Sequence, residues 1–124
     1  MQGLLLGDNG VRTLDDIALS KKDRHAIQAA AAVVRQRFPI EQVVLFGSKA
    51  RGEGDAHSDI DLLMLTQHPV GWRERDEINR VMFDLQLKLE VMLTTMIVSA
   101  QDWNEGVYQV MPIREEIDRD GAIV

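Results

Sequence analysis

Ile27, Ala30, Ala31, Val34 and Phe38 fall at helical spacing, because residues three and four apart share one face of an α-helix. Ser20 followed three positions later by Asp23 forms a capping signal ahead of them, and Pro39 stops the run. The spacing predicts a helix over residues 21–37. Val43, Val44, Leu45 and Phe46 make a short apolar run closed by Gly47, and residues 60–65, "IDLLML", make another; both predict buried strands. Beyond the loop signals Pro69 and Gly71, a second amphipathic stripe runs through Ile78, Val81, Met82, Leu85 and Leu89. The apolar, threonine-rich stretch from Val91 to Val98 predicts a third strand. Residues 100–119 return to a helical pattern, broken near Pro112 and ending before Gly121.

The resulting order, α-β-loop-β-α-β-α, predicts an α/β (α+β) sandwich, with helices on one face of a short sheet and the other face left for a site. Residues 1–19, mixed and Gly-containing, are expected to form a loosely ordered lead-in with a short helical turn near Leu14–Leu19, and residues 20–124 the folded domain.

Composition narrows the function. At 124 residues the chain suits one domain. No apolar run approaches the ~20 residues that cross a bilayer, and residues 1–10 lack the basic start of a secretion signal. No membrane role is expected. The absence of cysteine excludes disulfides and thiolate metal sites and suits a reducing cytoplasm, the expected location. A net charge of −6 opposes sequence-independent binding to a phosphate backbone. Nucleic acid is therefore not the expected partner, whereas a single nucleotide escorted by divalent cations suits carboxylates well.

The chemistry concentrates in "FGSKARGEGDAHSDID", residues 46–61. In a strand, side chains alternate, so Asp59 and Asp61 share a face with Cα atoms ~6–7 Å apart, while Ile60 and Leu62 point the other way. Adjacent carboxylates raise each other's pKa unless a cation neutralises them. Hard oxygen donors at this spacing suit Mg²⁺, and a pair of such ions about 3.5–4 Å apart can polarise a phosphate and stabilise a leaving oxygen. Upstream, Gly47 allows a sharp turn and close backbone approach, Ser48 offers a hydroxyl and an N–H, and Lys49 or Arg51 can meet phosphate charge. A Walker A loop is excluded, because Glu53 and Gly54 stand where Lys and Ser or Thr are required. His57 suits an Mg²⁺ site poorly and reads as a solvated loop residue. Trp103 reads as a half-buried packing anchor.

"FGSKARGEGDAHSDIDLLML" resembles the signature of the DNA polymerase β-type nucleotidyltransferase superfamily, and specifically its minimal nucleotidyltransferase (MNT) branch. The closest likeness spans Val43–Leu65, with a weaker one over "VSAQDW" and "PIREEIDRDG". The resemblance implies a small nucleotidyltransferase fold with a short mixed sheet. It also implies that Gly47 and Ser48, with Arg51, hold the phosphates of a nucleoside triphosphate such as ATP, and that Asp59 and Asp61 ligate two Mg²⁺. A hydroxyl then attacks the α-phosphorus and pyrophosphate leaves. Superfamily members usually add a third carboxylate from the third strand; Glu90, at the head of "EVMLTTMIV", is the nearest candidate for a catalytic and metal-binding role. If Glu90 points elsewhere, the next same-face positions are Met92 and Thr94, neither of them anionic.

MNT proteins are often paired with a HEPN-domain protein in toxin–antitoxin modules, and some transfer AMP from ATP to a tyrosine of that partner. Two functions follow as expectations: a nucleotidyltransferase whose acceptor lies on a partner protein, or a catalytically weak antitoxin that neutralises a HEPN RNase by contact. The base preferred, the acceptor and any homo-oligomer are left open.

Overall fold

Helix α1, Lys21–Arg37, begins where Ser20 Oγ accepts a hydrogen bond from the Asp23 N–H at 3.0 Å, satisfying one donor that the first turn otherwise leaves unpaired. It ends at Phe38, before Pro39. Its buried face is Ala26, Ile27, Ala30, Ala31 and Val34. The alanines let the helix approach the sheet closely, while Ile27 and Val34 each contribute ~1.5–3 kcal/mol by burial. These elements come from a computed structural model that describes residues 12–124.

Two central strands, β2 (Ile40–Phe46) and β3 (Ile60–Thr66), are antiparallel. Both read as nearly continuous apolar runs because both faces of the sheet are covered. On one face, Val43, Leu45, Ile60, Leu62 and Met64 pack with α1 and with Ile78 and Met82 of α2 (Trp72–Leu89). On the other, Val44, Leu63 and Leu65 pack with Val98, Trp103 and Ile117. Trp103 belongs to α3 (Ala100–Glu105) and Ile117 to α4 (Pro112–Asp120). The face expected to be open thus carries two short helices over part of its area and keeps the candidate site at the start of β3. Trp103 is fully buried rather than half-buried, with its ring 5.5 Å from that of Tyr108 and the Arg114 guanidinium 5.2 Å above it.

Strand β4 (Leu93–Ser99) runs parallel to β3 at the sheet edge, with Asp61 opposite Thr94. Side chains of α2 lie along this edge: Gln86 Oε1 accepts from the Leu93 N–H at 2.9 Å, and Arg75 Nη1 donates to the Ile97 carbonyl at 2.9 Å. Thr95 Oγ1 donates to Asn79 Oδ1 at 3.0 Å.

Beyond β2 lie two strands of two residues each, β5 (Ala122–Ile123) and then β1 (Arg12–Thr13). The pairing of Arg12 with Ala122 ties the first described residues into the sheet, and Leu14 and Ile17 are buried in the main core. Arg12, Thr13, Leu14 and Ile17 thus pack with the rest of the fold. A short 3₁₀ turn at Leu14–Asp16 stands where the helical turn was expected. The rest of that expectation, residues 1–11, lies outside the described residues.

Candidate functional site

The bend after β2 is built around one backbone oxygen. The Ser48 carbonyl accepts from the N–H groups of Arg51 (3.1 Å), Glu53 (2.9 Å) and Gly54 (3.2 Å). Gly47 has φ +78°, a conformation that side chains with a Cβ rarely adopt. A Cβ there would also meet Asp61 Oδ2 at 2.2 Å, so glycine lets the bend touch the carboxylate of the next strand. The Gly-Ser turn and the aspartate, separate in sequence, are in direct contact.

Lys49 does not face this contact. It is 5% exposed, and its Nζ donates at 2.6 Å both to Asp23 Oδ2 on α1 and to the Asp55 carbonyl. The loop is thereby clipped to the helix layer, and the cation of the bend left outside this clip is Arg51. Its Nε donates to Glu53 Oε1 at 3.0 Å and its Nη1 lies 3.6 Å from Glu116 Oε2. These acids hold the Arg51 guanidinium above its ordinary pKa, the Glu53 hydrogen bond first.

Asp61 sits on β3 between Phe46 and Thr94. Burial, then the neighbouring charges of Asp59 and Glu116, hold its carboxyl above the usual range, with Arg51 opposing them. Asp59, just ahead of β3, is exposed and accepts from Thr94 Oγ1 at 3.3 Å. The charge of Asp59 thus acts on Asp61.

Glu90 does not join them. It caps α2 in the left-handed conformation (φ 57°) and lines a cavity of about 640 Å³ with Leu19, Lys22, His57 and Met92, a cavity whose walls include neither aspartate. The parallel register puts Thr94, a neutral hydroxyl, where a third carboxylate from β4 would stand. Glu90, the cap, lies four residues before Thr94, the rung that faces Asp61.

Among the described residues there is no group of three or more His, Cys, Asp or Glu arranged to hold a metal. Asp59 and Asp61 alone still fit Mg²⁺ chemically. They are hard oxygen donors in mutual repulsion, and a divalent cation needs only one or two protein carboxylates when phosphates and water complete its shell. Glu116 is the acid that sequence reasoning missed. The apolar pair Ile113 and Ile117 marks α4 as amphipathic, but nothing in the sequence shows which loop the helix lies against.

Comparison with known proteins agrees with this geometry. The family model described as a nucleotidyltransferase domain matches residues 27–108. A Haemophilus influenzae protein named probable protein adenylyltransferase MntA is 24% identical over 87 residues, 70% of this chain and 76% of that one. Among solved structures, a toxin-antitoxin with AMP-PNP superposes with a TM-score of 0.56 at 15% identity, covering 84% of this chain and 72% of that one. A structure named provisionally as a minimal nucleotidyltransferase superposes with a TM-score of 0.56 at 23% identity, over 95% of this chain and all (100%) of that one. At these identities the structures establish a shared fold.

Proposed function

This chain belongs to the nucleotidyltransferase domain family, and on that premise we propose that it transfers a nucleoside monophosphate, AMP from Mg-ATP, to a hydroxyl on a partner protein. The observation that supports this most is the contact between Gly47 and Asp61, which joins the Gly-Ser bend to a carboxylate pair. In this reading the Gly47–Ser48 backbone and the Ser48 hydroxyl hold the β- and γ-phosphates, and Arg51 meets their charge. Asp59 and Asp61 hold Mg²⁺, which when bound supplies Lewis-acid stabilisation to the phosphoryl oxygens. The acceptor hydroxyl releases its proton to water as its oxygen bonds to the α-phosphorus, the bond from that phosphorus to the bridging oxygen breaks, and pyrophosphate leaves.

The partner is proposed to be a HEPN-type toxin. The name of the Haemophilus influenzae relative supports a protein acceptor, the toxin-antitoxin whose fold this chain shares supports a toxin as that protein, and the HEPN type follows from the MNT resemblance of residues 46–65. A second reading has its own observation. Thr94 in the place of a third carboxylate favours a weak catalyst that neutralises its partner chiefly by contact.

Incubation of the protein with labelled ATP, Mg²⁺ and the product of its neighbouring gene separates the two. Under the first reading the partner is labelled, and Asp59→Ala or Asp61→Ala reduces labelling by about 10²-fold or more, the scale of losing an electrostatic stabiliser of the transition state. Unchanged labelling in either variant rejects the site. Neutralisation of the partner without label selects the contact reading.

A further inference from the structure

With Lys49 committed to Asp23, Arg51 is the cation of the phosphate bend that remains near the aspartates. One of its two carboxylate contacts is local, Glu53, two residues along the same loop. The other comes from a distant part of the chain, Glu116 on α4.

Glu116 is firmly placed. The adjacent Ile117 is fully buried, Pro112 opens the helix, and α4 runs through Gly121 into β5. Strand β5 in turn pairs with Val44 and Leu45 of β2, the strand that delivers Gly47 and the bend. Loop and helix are thus anchored to the same strand, so the meeting of Arg51 and Glu116 follows from the fold. A guanidinium fork recognises carboxylate and phosphate oxygens by the same geometry.

We propose that Glu116 is an internal stand-in for a nucleotide phosphate, occupying Arg51 while the site is empty and yielding it when a triphosphate arrives. This rests on the reading of residues 47–61 as a nucleotide site. Binding then exchanges a carboxylate for a phosphate on Arg51 and leaves Glu116 unpaired beside an anionic ligand, so Glu116 weakens nucleotide affinity. On departure of pyrophosphate, Glu116 recaptures Arg51, which favours release. Glu116 acts through Arg51 and is a positioning residue. The pair is partly exposed, 31% at Arg51 and 37% at Glu116, so the effect is that of a screened ion pair, about two- to fivefold in affinity.

The test is a double-mutant cycle read by calorimetric titration, with Mg-ATP and metal-free ATP as separate probes. Glu116→Gln is expected to tighten Mg-ATP binding about two- to fivefold, Arg51→Ala to weaken it, and Glu116→Gln in the Arg51→Ala background to tighten it by clearly less than in the wild type. Equal tightening in both backgrounds would mean general charge removal and overturns the proposal. So does weaker Mg-ATP binding by Glu116→Gln with metal-free ATP unaffected, which would make Glu116 a metal ligand. If wild-type protein binds ATP in a manner lost with Asp61→Ala but the cycle shows no coupling, the stand-in idea alone fails. If wild-type protein binds no ATP, the nucleotide reading fails with it.

Discussion

Asp61 holds a charge that its surroundings oppose. Burial and two neighbouring acids raise its pKa, so in the metal-free protein the folded state binds its proton more tightly than the unfolded chain does. Below the ordinary carboxylate pKa of 3.8 the group is protonated in both states and carries no penalty. As pH rises through the higher folded value, the penalty grows to its full size. Asp61→Asn is accordingly expected to raise the melting temperature by a few degrees at neutral pH without metal, a gain that vanishes on acidification through the carboxylate range. A fall in melting temperature at neutral pH would show the carboxylate to be a scaffold contact. At Gly47 the opposite holds. Gly47→Ala forces a Cβ into the left-handed region and against Asp61, and is expected to cost about 1–3 kcal/mol in urea unfolding along with nucleotide affinity.

Between α1 and the bend, the Lys49–Asp23 pair works as a clip with both side chains largely out of water, 5% and 14% exposed. Lys49→Met leaves Asp23 and the Asp55 carbonyl without their donor, and the expected loss is about 3 kcal/mol by chemical denaturation. Replacing Asp23 as well should recover part of it. This clip shows where the sequence stops being legible. Local signals located α1 to the residue, β3 to within one residue and the second half of β2, because capping, Pro39 and apolar runs act within one element. The bend at Gly47 and the strand that carries Asp61 were legible for the same reason. Lys49 and Arg51 were indistinguishable as loop cations, since only the packing of α1 against the loop buries one of them. Which residue of β4 faces Asp61 was not legible, because the parallel register of β3 and β4 is a long-range property, and it selects Thr94. Glu116 gave no sign at all, its role being set by where α4 lies.

On the scale of the whole molecule, the two-residue strands matter out of proportion to their length. They carry no periodicity, which hid them in the sequence, yet β5 fills the gap between β1 and β2 and adds a hydrogen bond from the Val124 N–H to the Val43 carbonyl at 3.0 Å. Deleting residues 121–124 uncovers the edge of β2 and frees residues 12–13. The melting temperature is expected to fall by about 10 °C or more, with increased binding of a hydrophobic dye; an unchanged melt would show that β5 contributes nothing to the sheet. The opposite side of the sheet has a different consequence. There Arg75, Asn79 and Gln86 already engage β4. An incoming peptide cannot extend the sheet by adding a strand at that margin without first displacing helix side chains. Any protein that docks there must read knobs and charges on the helical exterior, so its selectivity will reside in surface side chains and can drift by point substitution while the backbone stays the same.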